Sequence, residues 1–489
     1  MNFNKSLTPF IFGIIGIFSF APFSIKPLIF FSYAYLIREL VYKNNSRLKK
    51  LFYWSLGHWG FGMSWLIVSV YYYGETSIYV SILIFVLLVL LLSLAFSAPL
   101  LFISKLLIKA FERGGIVNLI LISSALMLSE ISMNYLLYGV PWLIAGATLL
   151  DTISQGFYPI LGALGASFII YFCSSLIASR SNSRSYTLLI YCLLPFIISF
   201  PKESSIINEN NKDLAFSIIQ PSTDPFQKYN QGYAEKIEDN IIELVEQSSK
   251  ASKLLVLPEA ELPYAYEDER FKRFQQKLPK NTIMGAWSFA DGNLYNSIIS
   301  TEGGPQYNKV HLVPFGEFIP FEKYLRGLIS FFDMPMSNVK HGKKNQQNIA
   351  VFNDKSLNFA PLICFDIAFG ETVRKSNKSS DFIINVSNDT WFGNSIGPYH
   401  HLDITRIRAI ENNKWIIRST NDGFSAIITN NGTIVDKLDK GITGVINNGI
   451  DIKKERSIYN IFGYSIPYIF SILIVFISAI IFKCRKTHI

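Results

Sequence analysis

Long apolar runs separated by short polar breaks fill the chain from Leu7 to Phe200. From Lys202 to Arg456 apolar and polar residues mix at strand and helix spacings, and Phe462 to Phe482 is apolar again. A helix needs about 20 predominantly apolar residues to cross the hydrocarbon. The runs therefore predict eight spans: Leu7–Ser24, Pro27–Tyr42, Leu51–Tyr72, Ile78–Ile103, Ile116–Leu137, Tyr158–Ala178, Tyr186–Phe200 and Gly463–Phe482. Pro9, Pro22 and Pro27 bound or kink the first hairpin, which a membrane helix tolerates when neighbours satisfy the freed carbonyls. Leu7–Ser24 reads as a retained span and not a cleaved leader, because Pro22-Phe23 replaces a small-x-small site and another apolar run follows. The expected organisation is a bundle over 1–200, a water-exposed domain over 201–459, and a last span with its tail over 460–489.

Within the exposed part, Leu214–Gln220 and Lys253–Leu257 are short apolar runs suited to buried strands. Ala234–Ser248 between them has helical periodicity through Ile237, Ile241, Ile242 and Val245. Asp291-Gly292 joins Thr282–Phe289 to Asn293–Ser300 as a hairpin, and Asn430-Asn431-Gly432 joins Phe424–Thr429 to Thr433–Leu438. Tyr307–Val313, Leu357–Cys364 and Phe382–Val386 are further strand candidates, and His401–Asn412 reads as a helix. Strands and helices alternating in this way predict one α/β domain, with sheets inside and helices outside.

Composition supports the division. Half of the 489 residues are hydrophobic, only 17% are charged, and the mean hydropathy is +0.28. These values exclude a wholly soluble enzyme. Lys and Arg concentrate in the loops at Arg38–Lys50, Lys105–Arg113 and Arg180–Arg184 and after Phe482, all on one side of an eight-span bundle together with Lys5. The opposite loops, Tyr73–Ser77 and Tyr138–Phe157, carry none. Short-loop Lys/Arg bias puts the rich side in the cytoplasm, so both termini are expected there and the large domain outside. The net charge of +9 follows from this asymmetry and is no signal for nucleic acid. Cys364 is the single cysteine of the outward part, which therefore can form no internal disulfide.

Three segments carry candidate chemistry. LVLPEAELP delivers Glu259 where a strand ends at Pro258. YNKVHLVPFGEFIP places Lys309 in a strand and Glu317 in the loop after it. LICFDIAFGE puts Cys364 at a strand end before a turn and helix. Strand ends are where α/β folds build sites. A thiol with an ordinary pKa is mostly protonated at neutral pH, so a carboxylate is needed to take its proton. An ammonium beside it steadies the thiolate and then an oxyanion, and the backbone N–H after Cys364 offers a second oxyanion contact. Glu, Lys and Cys together thus suit acyl transfer.

These segments resemble the Glu-Lys-Cys triad regions of the nitrilase superfamily. SNDTWFGNSIGPYHH (Ser387–His401) is similar to its membrane-anchored branch, the apolipoprotein N-acyltransferases, and so are FAPF at Phe20–Phe23, Glu130, GVPWL at Gly139–Leu143 and PILGALG at Pro159–Gly165. The resemblance implies an αββα sandwich on an eight-span bundle. It also implies Glu259 as general base, Lys309 as oxyanion lysine, Cys364 as nucleophile and Glu317 as supporting glutamate. It further implies a phospholipid acyl donor, a diacylglyceryl-apolipoprotein acceptor, no cofactor or metal, and a monomer in the bacterial inner membrane with its catalytic domain in the periplasm. Phe365-Asp366 stands where the family commonly has Tyr-Glu, which keeps the ring and the charge. Tyr229 stands in place of a tryptophan. Phe365, Tyr229 and Trp391 are candidate substrate contacts and Asp366 a supporting carboxylate.

Other residues weigh less. His400 and His401 are adjacent, which points their rings to different helix faces and suits capping or surface roles better than metal binding. His311 reads as a packing residue. Glu130 is an ionisable group at membrane depth, either functional or holding a neighbouring helix. A membrane-tethered amidase that gives its thioester to water is the enzymatic alternative. A transporter or receptor would need polar, broken helices, of which the spans offer few.

Overall fold

The computed structural model describes residues 4–42, 47–74, 76–113, 116–135, 139–179, 212–230, 232–319, 338–343 and 357–484. The expected span Tyr186–Phe200 lies outside the described residues. Apolar helices run over Asn4–Ile17, Leu28–Tyr42, Arg47–Gly62, Ile78–Arg113, Ile116–Ser132, Tyr158–Ala178 and Ser465–Cys484. Among the described residues, Ile78–Ile103 and Ile153–Ala178 are long and apolar enough to cross a membrane, and Leu7–Ile17, Ile116–Ser132 and Ser465–Ile481 are shorter apolar helices.

Two expected spans differ in form. The first helix stops at Ile17, and the chain turns through Ser24. At 1.5 Å per residue its 14 residues reach about 21 Å, short of a full crossing. The run Leu51–Tyr72 breaks at Met63-Ser64 into the helix ending at Gly62, a turn at Trp65–Val68 and a π-helical turn at Ser69–Tyr73. Small residues let the helices meet closely: a Cβ on Gly13 would lie 2.1 Å from the Trp54 carbonyl oxygen, and one on Gly57 2.1 Å from that of Phe10.

The exposed part is a two-sheet sandwich. The first sheet contains β1 (Leu214–Gln220), β2 (Leu254–Val256), β3 (Thr282–Ala290), β4 (Asn293–Ser300), β5 (Gly304–Asn308) and β11 (Gly444–Ile450), in the order β11-β1-β2-β3-β4-β5. The second contains β6 (Phe359–Ile363), β7 (Phe382–Ser387), β8 (Ile416–Thr420), β9 (Ser425–Ile428) and β10 (Ile434–Leu438), in the order β10-β9-β8-β7-β6. Strands β1, β2 and β3 are parallel and lie between antiparallel β11 and β4, while β6, β7 and β8 are parallel with antiparallel β9 beside β8 and β6 at the sheet edge. Asp291 and Gly292 both have positive φ, the conformation that a tight hairpin between β3 and β4 requires.

Alternation sets the layers. Phe216, Ile218, Val256, Ile283, Ile363, Ile384 and Ile417 fill the space between the sheets. Ile219, Leu255, Leu257 and Met284 point outward under the helices Tyr233–Glu246 and Glu269–Gln275. On the far side, Ala360, Leu362, Ile383 and Ile416 pack under the helix Gly397–Asn412, and this layer continues without a break into the apolar core of the bundle. The α/β domain is therefore built onto the bundle through its second sheet.

Polar groups lock that junction. The helix Tyr158–Ala178 is broken at Gly162, which has φ +69°, so the Ala163 N–H opens a new helical segment. The Glu411 carboxylate accepts that N–H at 2.7 Å. Glu411 also pairs with Arg408 at 2.5 Å, and Arg406 pairs with Asp151 at 2.5 Å. Glu130 meets a structural need within the bundle: its Oε1 accepts the Ala145 N–H at 2.6 Å.

Candidate active site

Pro258 ends the β2 run and turns the chain out of the sheet, so that Glu259 sits at the strand mouth and is 6% exposed. The neighbouring strand must make room. A Cβ on Gly285 of β3 would approach Glu259 Cα to 2.5 Å, so glycine is required there for close contact. Lys309 lies one residue beyond β5, not inside a strand as the apolar alternation predicted. Its backbone N–H still bonds the Asn296 carbonyl at 2.8 Å, which carries the side chain inward to 1% exposure.

The Lys309 ammonium bridges two carboxylates, with Nζ 3.0 Å from Glu259 Oε1 and 2.9 Å from Glu317 Oε2. Burial works against the charge on Lys309, but the two carboxylates outweigh it and hold the pKa well above the usual lysine range. The Asn296 amide, from β4, donates to Glu259 at 2.7 Å and to Glu317 at 2.9 Å. Backbone N–H groups complete the frame: Asn388 donates to Glu259 Oε2 at 2.8 Å and Val313 to Glu317 Oε2 at 2.8 Å. Glu259 is thus oriented from three sides.

Cys364 follows β6 immediately, is 8% exposed, and has φ +42°. A non-glycine residue in that left-handed region costs about 1–2 kcal/mol, which the surroundings must offset. Asp366 does part of this from within the same turn. It accepts the Ile363 N–H at 3.3 Å, the Tyr307 hydroxyl at 2.9 Å and the His311 N–H at 2.7 Å, tying β6 to the segment that bears Lys309. Burial raises the Asp366 carboxyl to about 7 despite these donors. The Cys364 thiol is also pushed far above its usual range, first by burial and then by the charge on Glu259, with Lys309 opposing. The sulfur therefore rests as a thiol, with a carboxylate and an ammonium in electrostatic reach.

The structure brings Glu259, Lys309, Glu317, Cys364 and Asp366 into one region. Phe365 is half-buried against Phe369 (5.1 Å) and near Trp142 of the bundle (6.5 Å). Trp391 is 45% exposed, and its carbonyl accepts the Ser69 hydroxyl at 2.7 Å. Tyr229 is 55% exposed beneath Lys228. Trp65 and Trp142 pack on Phe392 at 4.7 and 6.1 Å, so the bundle supplies one wall beside the site.

Several participants were not apparent from sequence. Asn296 is one. Glu261, two residues past Glu259, is fully enclosed; burial raises its carboxyl to about 7, with Lys228 opposing. The surface role expected for His400 and His401 is wrong, because both rings are buried. His400 Nδ1 accepts the Trp142 indole N–H at 3.2 Å. His401 Nδ1 lies 2.9 Å from Asp389 Oδ1, and its Nε2 lies 3.3 Å from the Cys364 carbonyl oxygen. Asp389 also pairs with Arg418 at 2.6 Å and accepts the Ser387 hydroxyl at 2.8 Å. Burial opposes its charge, but Arg418 and His401 hold its carboxyl well below the usual range. Donor atoms of Cys364, Asp389 and His401 lie within 4.8 Å of one another. The guanidinium already seated on Asp389 makes that trio a poor cation site.

Residues 218–460 match the carbon-nitrogen hydrolase family, and residues 12–176 match the apolipoprotein N-acyltransferase N-terminal domain. Apolipoprotein N-acyltransferase of Haemophilus influenzae is 32% identical over 99% of this chain and 96% of its own length. That of Pasteurella multocida is 30% identical over 94% and 92%. Among solved structures, an amidase from Nesterenkonia sp. aligns at 16% identity over 50% of this chain and 94% of its own, with a TM-score of 0.33.

Proposed function

The chain belongs to the apolipoprotein N-acyltransferase family, and from that premise we propose that it moves a fatty acyl chain from a phospholipid, through a thioester on Cys364, to the N-terminal amine of a diacylglyceryl-cysteine apolipoprotein. The observation that carries this reading is the buried Lys309 ammonium. It is held between Glu259 and Glu317 and acts electrostatically on the Cys364 thiol.

In the first step Glu259 takes the Cys364 proton as the sulfur attacks the donor's ester carbonyl. Negative charge develops on the carbonyl oxygen, where Lys309 and the Phe365 backbone N–H stabilise it. Collapse breaks the ester C–O bond. The leaving lysophospholipid oxygen takes the proton back from Glu259, and an acyl thioester remains. In the second step the acceptor α-amine attacks the thioester carbonyl and gives a proton to Glu259. The C–S bond breaks, the amide forms, and the thiolate recovers the proton. Glu317 and Asn296 keep Glu259 and Lys309 in place throughout. Because the thiol rests protonated, the base is needed at the start of each cycle.

The wider arrangement belongs to the same proposal. Eight spans over 1–200 and 460–489, termini in the cytoplasm and a periplasmic catalytic domain over 201–459 are supported by the Lys/Arg bias of the short loops. Both substrates are lipids, so a site fixed to the bundle meets them in the membrane plane. Acceptor dependence tests the reading against the amidase alternative. With phospholipid alone the acyl-enzyme should accumulate. A diacylglyceryl-cysteine peptide should then discharge it into N-acyl peptide. Release of free fatty acid at the same rate with and without peptide would favour hydrolysis.

A further inference from the structure

The His401–Asp389–Arg418 group has no part in the proton transfers above, yet it touches the nucleophile's own main chain. We propose that His401 is a positioning residue: by holding the Cys364 carbonyl, it aims the Phe365 N–H at the developing oxyanion. This deepens the acyl-transfer reading and rests on it.

The geometry begins with the backbone. His401 Nε2 lies 3.3 Å from the Cys364 oxygen. A ring nitrogen facing a carbonyl oxygen forms a bond only as N–H, so this contact puts a proton on Nε2. The Cys364–Phe365 peptide is trans, and in a planar trans peptide the C=O and the following N–H point in opposite directions. Fixing the carbonyl on His401 therefore directs the Phe365 N–H away from the imidazole. Phe365 is the second residue of a short helical turn, Cys364–Ala368, whose first N–H groups have no partner within the turn.

The imidazole itself has little freedom. Its Nδ1 faces Asp389 Oδ1 at 2.9 Å and the Arg418 guanidinium at 3.1 Å. Arg418 is anchored in turn by Asn385, by the Thr405 hydroxyl at 3.2 Å and by the Phe424 carbonyl at 3.3 Å. Asp389, His401 and Arg418 are almost wholly buried, so the ring orientation is fixed from β8 through to the Cys364 carbonyl. Cys364 needs such support because its φ of +42° is unfavourable for a side-chain-bearing residue. Asp366 holds the Ile363 N–H, at the end of β6, and His401 holds the peptide that follows Cys364.

The experiment uses the full chain in detergent with two probes of one sulfur. Phosphatidylethanolamine micelles report thioester formation, whose transition state carries an oxyanion. Iodoacetamide reports alkylation, whose transition state does not. In His401→Phe, acylation should fall about 100-fold, as for loss of one oxyanion donor, while alkylation changes less than about threefold. His401→Gln, which keeps an N–H near the same place, should acylate within about tenfold of the native rate. The proposal is overturned if His401→Phe acylates at the native rate. It is also overturned if Gln and Phe are equally impaired, or if acylation and alkylation fall together, which would make the imidazole a base for the thiol. Absence of any thioester in the native protein would instead remove the underlying reading.

Discussion

Replacing Lys309 by Met separates what its ammonium does for the fold from what it does for the reaction. In the native protein Nζ sits 3.0 Å from Glu259 and 2.9 Å from Glu317, and both carboxylates share the Asn296 amide. Without the ammonium, two buried negative charges about 5 Å apart repel by roughly 3 kcal/mol at an effective dielectric of about 20. One of them takes up a proton to relieve this. Breaking a buried ion pair from one side typically costs about 3–5 kcal/mol, and we expect Lys309→Met to lose stability by that amount. The reaction loses an oxyanion donor, worth about 10²–10³ in rate, and loses an ionised Glu259 in part of the molecules. Quenched-flow mass spectrometry of the Cys364 peptide should show acylation slowed by at least about 10³. The double variant Lys309→Met/Glu317→Gln removes one charge of each sign, so it should regain most of the stability while acylation stays slow. The reasoning fails if the single variant acylates within about tenfold of native. It also fails if the double variant recovers rate along with stability.

Other outcomes follow from the same contacts. Gly285→Ala places a Cβ 2.5 Å from Glu259 Cα, so acylation should drop at least tenfold, with about 1–3 kcal/mol lost in denaturant unfolding. Asp366 sets a pH dependence. Its carboxyl titrates at about 7 when folded, against 3.8 ordinarily, so the native state keeps a proton that the unfolded chain gives up. Stability should therefore fall as pH rises through that window, by at most roughly 4 kcal/mol, and level off above pH 7. In melting curves Asp366→Asn should flatten that slope, and an unchanged slope would assign it to other groups. Glu411→Ala removes the carboxylate that caps the Ala163 N–H and pairs with Arg408. Hydrogen exchange at the start of that helical segment should then rise well above native, with the two sheets still protected.

Much of the sandwich was legible because its strands are apolar runs bounded by turn residues. Asp291-Gly292 and Asn430-Asn431-Gly432 marked hairpins, and Pro258 marked a strand exit. Glu259 and Cys364 stand just beyond apolar strands, where the pattern put them, whereas Lys309 was expected inside a strand and instead follows β5, whose sequence GPQYN carries little apolar signal. Other features depend on contacts between distant residues. β11, with the sequence GVINNGI, has a weak apolar signal and becomes a strand by pairing with β1 more than 220 residues away. β8 carries Arg418 inside the fold, where only Asp389 and its neighbours make a buried cation acceptable. His401 looked exposed because its partners, Asp389 and the Cys364 carbonyl, are not at helical spacing from it. Asn296 lies in a strand whose polar face turns inward only because two glutamates meet there. The break at Met63-Ser64 lies inside a continuous apolar run, so hydropathy alone did not reveal it.

Mass spectrometry of the native protein after brief exposure to a phospholipid of defined acyl chains tests the central claim most directly. The account predicts one acyl group on the peptide containing Cys364, removed by hydroxylamine, absent from Cys364→Ala, and passed to a diacylglyceryl-cysteine peptide at the rate at which N-acyl product forms. Product formation at an undiminished rate by Cys364→Ala, or an acyl group carried on a different residue, would contradict it.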